Sequence, residues 1–415
     1  MKELIKNILF ISIILCYGRA NTVLGQTLKI SEVLTKIEEN NSALLSYQNK
    51  ILAANELVNG AGAWMPTKVS TEWDMIPYSL DYKMSQLRLA VMQDIPSYKK
   101  IKAKENYLSS IANIEKNQGG VKKNEFFTLA KDAYNKRYIA EKRISILTES
   151  INIMKTMIVL AEKQMAIAKG DLATVYRLKA RLTQNESMLV HEQNMVRAET
   201  TILNYLMNVD INQTFEIDTA GLLKNYRMLN ANMKMDSLDC KRSDLMRMTS
   251  EINSMKLNQT LVSLNKRPTY QIQLTNFTRF GGRPDMFAIM GSVFLPIVPW
   301  ASKGYKSEVK SMSYSIKAME QTKQNMLSMA QQMIKMSLIE LESEYKELDN
   351  YKNLVIPAYK KSLDANLLAY SQNTNDLSMT LMALDDLQMA HMEYLKHLDT
   401  YLKIQAEYEK EMQIR

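Results

Sequence analysis

The chain has little of what turns a backbone: 12 glycines and 8 prolines in 415 residues. Compact mixed folds need those residues at their corners, so few turns imply long elements. Cysteine is limited to Cys16 and Cys240, too few for a disulfide framework, and stability must come from packing and assembly. Histidine is limited to His191, His391 and His397, and none stands at ligand spacing from a cysteine or a second histidine. That argues against a metal centre and against a catalytic site, both of which need convergent groups. There is no glycine-rich phosphate loop and no nucleophile motif. Past the N-terminus no run approaches the roughly 20 consecutive apolar residues of a membrane-spanning helix, so any later span of a bilayer has to be β. A block of one charge is missing as well. The 53 basic residues are scattered among 44 acidic ones, so the net +9 reads as a solvated surface and not as a nucleic-acid footprint.

What is present begins with an export signal. Lys2 and Lys6 precede an apolar run from Ile8 to Leu15, and cleavage after Gly25 would make residues 1–25 a signal peptide. Cys16 follows Leu15, where a lipoprotein signal would place a small residue, so lipidation is the weaker reading. The mature chain then keeps Cys240 alone.

That mature chain is written twice, as residues 26–220 and 221–415. Pro66 and Pro268 lie 202 residues apart, as do Ala43 and Leu245. The offset becomes 203 for Pro96 and Pro299, for Leu178 and Leu381, and for Ala180 and Ala383. Each half opens on a helical pattern, about Ile30 to Gly60 and Ser243 to Leu264, then meets proline and changes period. After Pro66, Val69, Thr71, Trp73 and Met75 alternate with Lys68, Ser70, Glu72 and Asp74; after Pro268, Tyr270, Ile272 and Leu274 alternate with Thr269, Gln271 and Gln273. Alternation of this kind is a strand with one wet face. The two patterns differ by one residue in phase relative to their prolines, and a bulge or a different strand start would absorb that. Second strands follow in each half, with Leu87, Leu89 and Val91 on one face in the first, and Phe287, Ile289, Val293 and Leu295 in the second. The expected strands are about 66–75, 84–96, 268–280 and 285–298.

Beyond each hairpin come long helical stretches, Lys99 to about Lys169 and Lys303 to about Tyr370, with Pro357 the single proline in the second. A helix of 65 residues would reach roughly 100 Å, which requires helical partners along its length. Breaks follow at Gly170–Asp171 and at Asn373, Thr374, Asn375 and Asp376, with helices about Leu172–Met207 and Leu377–Met412 after them.

Four strands cannot close a barrel, and an open sheet with an apolar face leaves unpaired edges. Three copies would supply twelve strands, within the range of roughly 8 to 26 for outer-membrane barrels. The paired architecture, the proline-led strands, the segment SVFLPIVPWASKGYKSEV at Ser292–Val309, and the Gly170 turn followed by Leu178 and Ala180 resemble the TolC-like outer-membrane efflux family. That resemblance implies a mainly α fold with a small transmembrane β part, assembled as a homotrimer with a 12-stranded β-barrel on a 12-helix α-barrel tunnel. It implies a place in the outer membrane, with a long periplasmic helical portion. It further implies docking onto a periplasmic adaptor (membrane fusion) protein and an inner-membrane pump of the resistance-nodulation-division type, with drugs or heavy-metal cations as cargo. The lipid-facing set would be Val69, Trp73, Leu87, Leu89, Tyr270, Ile272, Ile289 and Val293. The periplasmic tip and adaptor contact would be Gly170, Asp171, Leu172, Asn373, Thr374, Asn375 and Asp376. Many members carry Asp six residues after the turn glycine, whereas this chain has Tyr176, and Met379 in the second half.

The rivals are a periplasmic adaptor, which would need glycine-rich β-domains around one hairpin, and a structural coiled coil of the envelope, which has no use for four amphipathic strands. The 30 methionines read as packing residues for helix interfaces and not as a soft-metal relay. The acidic pairs Asp385/Asp386 and Glu409/Glu411 read as solvated faces and not as general acid and base. No enzyme activity and no cofactor is expected.

Overall fold

The computed structural model describes residues 27–76, 78, 82–166, 172–219, 221–224, 226, 241–372 and 374–414. The expected signal peptide, with Cys16, lies outside them, as do Gly170, Asp171, Cys240 and Asn373. The chain begins with a short strand β1 (Thr27–Leu28), helices α1 (Ile30–Asn40) and α2 (Ser42–Asn59), and strands β2 (Lys68–Asp74) and β3 (Gln86–Ile95). The long helix α3 (Tyr98–Ala166), helix α4 (Leu172–Met207) and a second short strand β4 (Glu216–Ile217) follow. The succession then recurs as α5 (Ser243–Ser263), β5 (Thr269–Arg279), β6 (Met286–Phe294), α6 (Pro299–Asn350), α7 (Ile356–Ser371) and α8 (Leu377–Met412). Helix, hairpin, long helix, turn and helix thus occur in the same order in both halves.

Two helices depart from the expected bounds, each for a local reason. The first helical stretch divides at Asn41, which is extended (φ −66°, ψ 116°) and accepts hydrogen bonds from the N–H groups of Ala43 and Leu44. Asparagine is among the strongest N-caps, so it starts a new helix in place of continuing the old one. The second long helix passes through a π turn at Tyr351–Val355, immediately before Pro357. Proline cannot donate to the carbonyl four residues back and crowds it, and a locally wider turn relieves both problems.

The chain divides into two compact units, and each draws segments from both halves. The first comprises Met1–Asn40, Phe127–Tyr226 and Glu340–Ala406; the second comprises Asn41–Phe126, Arg227–Ile339 and Glu407–Arg415.

In the first unit, Met154, Met157, Ile158 and Ala161 of α3 pack with Val175 and Leu178 of α4 and with Leu381, Leu384 and Leu387 of α8. One window of Tyr98–Met165 is apolar enough by composition to cross a membrane. This differs from the reading that no later segment qualifies; a third of that window, 33%, is buried. The same unit holds a pairing that the sequence concealed. Strands β1 and β4 run parallel, Thr27 opposite Glu216 and Leu28 opposite Ile217. The hydroxyl of buried Tyr134 lies 2.8 Å from the Leu28 carbonyl and 2.7 Å from that of Asp218. Burial pushes the Tyr134 phenol well above its ordinary pKa, so it stays protonated and can donate. Arg137 stacks over the Phe215 ring at 4.6 Å and donates to the Phe215 carbonyl.

In the second unit, Gly120 of α3 faces the start of α5. A Cβ there would stand 2.8 Å from Ser243 Oγ and 3.1 Å from Ser243 Cβ. The glycine therefore allows a close helix approach. The same unit corrects one expectation. Glu409 and Glu411 are not on a solvated face; they are 2% and 6% exposed. Two residues apart on a helix they point to nearly opposite sides, so covering the helix must bury at least one. The guanidinium of Arg242 donates to Glu411 and forks onto Asp244 at 3.1 and 2.7 Å. Burial raises the Asp244 pKa, but the hydrogen bonds and charge of Arg242 outweigh it and leave the carboxyl below its ordinary value. A depressed folded pKa means that Asp244 stabilises the fold above its unfolded pKa and loses that contribution as pH falls through the lowered value.

Glu411→Ala would remove the most buried partner of Arg242 and leave it half-buried Asp244 and the backbone carbonyl of residue 411. It is expected to lower the unfolding free energy by about 3 kcal/mol, measured as a reduced denaturant midpoint at neutral pH. A loss within about 0.5 kcal/mol, the range of ordinary surface changes, would show that the pair is solvated after all.

Candidate functional site

The second unit carries an antiparallel sheet ordered β2-β3-β5-β6. Strand β2 starts two residues after Pro66 and β5 one residue after Pro268, and this difference absorbs the phase shift between the two alternations. In an antiparallel sheet, directly opposed residues share a face. The register places Val69 opposite Val91, Val91 opposite Leu274 and Leu274 opposite Ile289. Trp73 pairs with Leu87, Thr71 with Leu89, Ile95 with Tyr270, and Tyr270 with Val293. Gln93 pairs with Ile272. The eight residues Val69, Trp73, Leu87, Leu89, Tyr270, Ile272, Ile289 and Val293 therefore stand on one face of one sheet.

That face carries no charge in any of the four strands. Every charged strand residue, namely Lys68, Glu72, Asp74, Arg88, Asp94 and Arg279, stands on the other face. There Arg88 bridges Glu72 at 2.9 Å and Asp74 at 3.1 Å, with its guanidinium over the Phe277 ring. The uncharged face is nevertheless open. Ile289 is 71% exposed, Val69 64% and Trp73 58%.

The ends of the sheet differ. Pro66 precedes β2, Pro96 follows β3, Pro268 precedes β5 and Pro296 follows β6, so all four prolines stand at the end where strands give way to helices. The opposite end holds the hairpin loops. Gly281 and Gly282 adopt φ of +79° and +76°, and a Cβ on Gly281 would come within 2.5 Å of the Lys83 carbonyl oxygen. Arg283 donates to the carbonyls of Lys83, Met84 and Ser85, clasping the second loop to the first. Among the described residues, β2 and β6 are paired on one side only.

At the expected tip, in the first unit, Thr374 Oγ1 donates to the Ala369 carbonyl at 2.9 Å and Asn375 Nδ2 to Asn366 Oδ1 at 2.6 Å. The Asp376 carbonyl accepts from the N–H of Met379 and of Thr380, the opening bonds of α8. Leu172 is exposed at the start of α4, as are Tyr176 and Met379. Behind this end, helices from the two halves are tied by polar contacts. Arg181 of α4 reaches Asp385 of α8 at 3.0 Å, so this acidic residue is engaged. Asn185 and Gln388 exchange hydrogen bonds of 3.1 and 3.2 Å, and both amides lie within 3.3 Å of Ser150 Oγ on α3.

Of the histidines, His191 is exposed, His391 is held below its ordinary pKa by burial, and His397 places Nδ1 2.7 Å from Glu344. Among the described residues no three or more His, Cys, Asp or Glu side chains are grouped to hold a metal ion.

Solved structures superpose on this arrangement over 92% of the chain. One is the outer-membrane channel OprN (TM-score 0.74, 12% identity, 89% of that chain). Another is CusC, described in terms of transmembrane channel formation (TM-score 0.77, 11% identity, 91% of that chain). A third is the CmeC outer-membrane channel of Campylobacter jejuni (TM-score 0.72, 13% identity, 85% of that chain). The chain has the fold of the outer-membrane channels. No protein-family model matches the sequence, and no curated protein matches it either. The channel fold accounts for a mainly helical chain that carries a small β part, and the sheet just described is that part. Identities of this size carry the fold and nothing finer.

Asn185→Leu removes one member of the amide pair and leaves half-buried Gln388 with Ser150 as its remaining partner, which is expected to cost about 1–3 kcal/mol. The double variant Asn185→Leu/Gln388→Leu removes both members and should recover part of that loss in a denaturant-unfolding cycle. Strict additivity of the two substitutions would show that the amides do not depend on each other.

Proposed function

We propose that this chain is the outer-membrane exit duct of a tripartite efflux pump, acting as one protomer of a homotrimer. The supporting observation is the charge-free, exposed apolar face of a four-stranded sheet whose two outer strands are paired on one side only. Such a sheet is suited to hydrocarbon on one face and water on the other. In a bilayer the free edges of β2 and β6 must be satisfied by protein, because an open edge is not tolerated there. In the order β2-β3-β5-β6 the two outer strands run in opposite directions. Rotation about a common axis therefore brings β6 of one copy antiparallel to β2 of the next, and three copies make a closed twelve-stranded barrel. Val69, Trp73, Leu87, Leu89, Tyr270, Ile272, Ile289 and Val293 then meet lipid.

The same reading makes the helices a periplasmic tunnel, a ring of twelve built from the three copies. The segments 170–172 and 373–376 are its tip, where a periplasmic adaptor docks and through which an inner-membrane pump of the resistance-nodulation-division type delivers cargo. Cargo is drug-like solutes or heavy-metal cations. The chain performs no chemistry; energy comes from the pump, and solutes pass down their gradient.

Adjacent positions on β6 give a matched test, because Ile289 and Ala288 lie on opposite faces at nearly equal depth. Ile289→Lys is expected to weaken assembly into vesicles by about 2–4 kcal/mol, whereas Ala288→Lys should assemble normally and alter only single-channel conductance in planar bilayers. Equal assembly of the two variants would defeat the lipid-facing assignment. A chain that stays monomeric and conducts nothing in bilayers would defeat the duct.

A further inference from the structure

Where the sheet meets the helices, the second unit holds a cleft of about 940 Å³, a volume typical of small-molecule sites, to which the duct reading assigns no ligand of its own. Its lining has two characters. Ile95, Tyr270 and Val293 are cross-strand neighbours in one row of the uncharged face, and Met65, Ile101 and Leu264 extend an apolar wall toward the helices. The same lining holds the cations Lys100, Lys104 and Arg267. Asp94 is the single carboxylate of the lining, and it already accepts from Gln271 Nε2 at 2.8 Å. Lys100 uses one of its three N–H groups on Asn265 Oδ1 at 2.8 Å. Among the described residues Lys104 and Arg267 form no ion pair, and Arg267 Nε is buried without an acceptor.

We propose that this cleft binds an anionic amphiphile, its headgroup against Lys100, Lys104 and Arg267 and its hydrocarbon tail along Ile95, Tyr270 and Val293. A small inorganic anion would answer the cations and leave the apolar wall wet. An uncharged hydrocarbon would cover the wall and leave the Arg267 donor buried and unmet, which is the costly arrangement. A molecule carrying both parts satisfies both walls, and a guanidinium beside two ammonium groups is the usual receptor for phosphate, sulfate or carboxylate heads. Two sources supply this chemistry: an anionic phospholipid of the bilayer, or a dissolved amphiphile. The proposal leans on the duct reading only for the source. If the proline-marked end of the sheet is a membrane boundary, headgroups lie at the level of the cleft and phospholipid is favoured.

The test uses the full chain in neutral detergent, with binding read by native mass spectrometry and by thermal shift. The probes are phosphatidylglycerol against phosphatidylcholine, and dodecyl sulfate against an uncharged dodecyl detergent. Lys100→Gln/Lys104→Gln changes two exposed side chains and should leave the fold intact. Arg267→Gln is the second variant. Lys256→Gln, whose ammonium pairs with Glu320 elsewhere in the unit, serves as the control of equal chemistry. The expected result is retention of the anionic member of a pair over its uncharged partner, weakened about tenfold in the double variant and unchanged in the control. Preference for phosphatidylglycerol identifies the bilayer as the source; preference confined to dodecyl sulfate identifies a dissolved ligand, and either supports the proposal. Equal retention of charged and uncharged probes, or undiminished binding in the double variant, would overturn it. Binding to dissociated protomers but not to the trimer would also overturn it, by assigning the cleft to a neighbouring copy. None of these readouts requires conductance, so the site and the duct can fail separately.

Discussion

An antiparallel ribbon returns the chain to the end from which it left, and that constraint governs the β part of this molecule. Each half enters the sheet after a proline, makes one hairpin and leaves at the end where it entered. Every helix connection therefore lies at one end of the sheet and every hairpin loop at the other. The four prolines follow from this. They stand where ladder pairing stops and an N–H is no longer required, which is where proline is tolerated. The loop end has the opposite need, tight reversal, and supplies Gly281 and Gly282 with positive φ and Arg283 bonded across to the other hairpin. Sidedness comes from the same arrangement. Because opposed residues share a face, charges spaced two apart in β2 align with those of β3 and β5, and the remaining face is left without any.

The recurring order of elements also shapes the first unit. When two equivalent segments pack about a local twofold, residues near the axis meet their own counterparts. Asn185 and Gln388 are such counterparts at the 203-residue offset, and they hydrogen-bond to each other in both directions. Leu178 and Leu381, at the same offset, belong to one core cluster. A primary amide is both donor and acceptor, so it suits a self-pairing position; two carboxylates or two ammonium groups there would repel. The reciprocal pair fixes the sliding register of α4 against α8, which an apolar seam alone specifies weakly.

Much of this was legible before any coordinates. Period changes at Pro66 and Pro268 marked the strands, because alternation survives wherever one face must differ from the other. The helices Leu172–Met207 and Leu377–Met412 showed plainly because Gly, Asn and Asp punctuate their starts. What escaped was information of another kind. Strands β1 and β4 are two residues each and have no period; only the buried Tyr134 hydroxyl between their carbonyls betrays the pairing. Asn41 was a visible cap signal inside an apolar pattern strong enough to mask it. Glu409 and Glu411 looked solvated because a carboxylate is usually so, yet Arg242, far away in sequence, makes burial tolerable for Glu411. Sequence order does not reveal such partners. The alternation put the eight expected residues on one face, as the register has them, whereas the cleft at its base was not legible, since Lys100 and Lys104 of α3 lie far in sequence from Arg267.

Under the duct reading, the distribution of these charges bears on selectivity. On the water-side face three basic residues, Lys68, Arg88 and Arg279, stand against three acidic ones, Glu72, Asp74 and Asp94. Arg88 is bonded to Glu72 and Asp74 together, so much of the field is cancelled within a few ångströms. A wall of this kind neither attracts nor repels one sign of solute strongly, unlike a pore ringed by a single charge. Discrimination among cargoes then has to arise upstream of the barrel, where the partner proteins load the tunnel. Under that reading, a sheet electrostatically quiet toward water and charge-free toward lipid would wall a passage whose selectivity depends on what is joined to its helices.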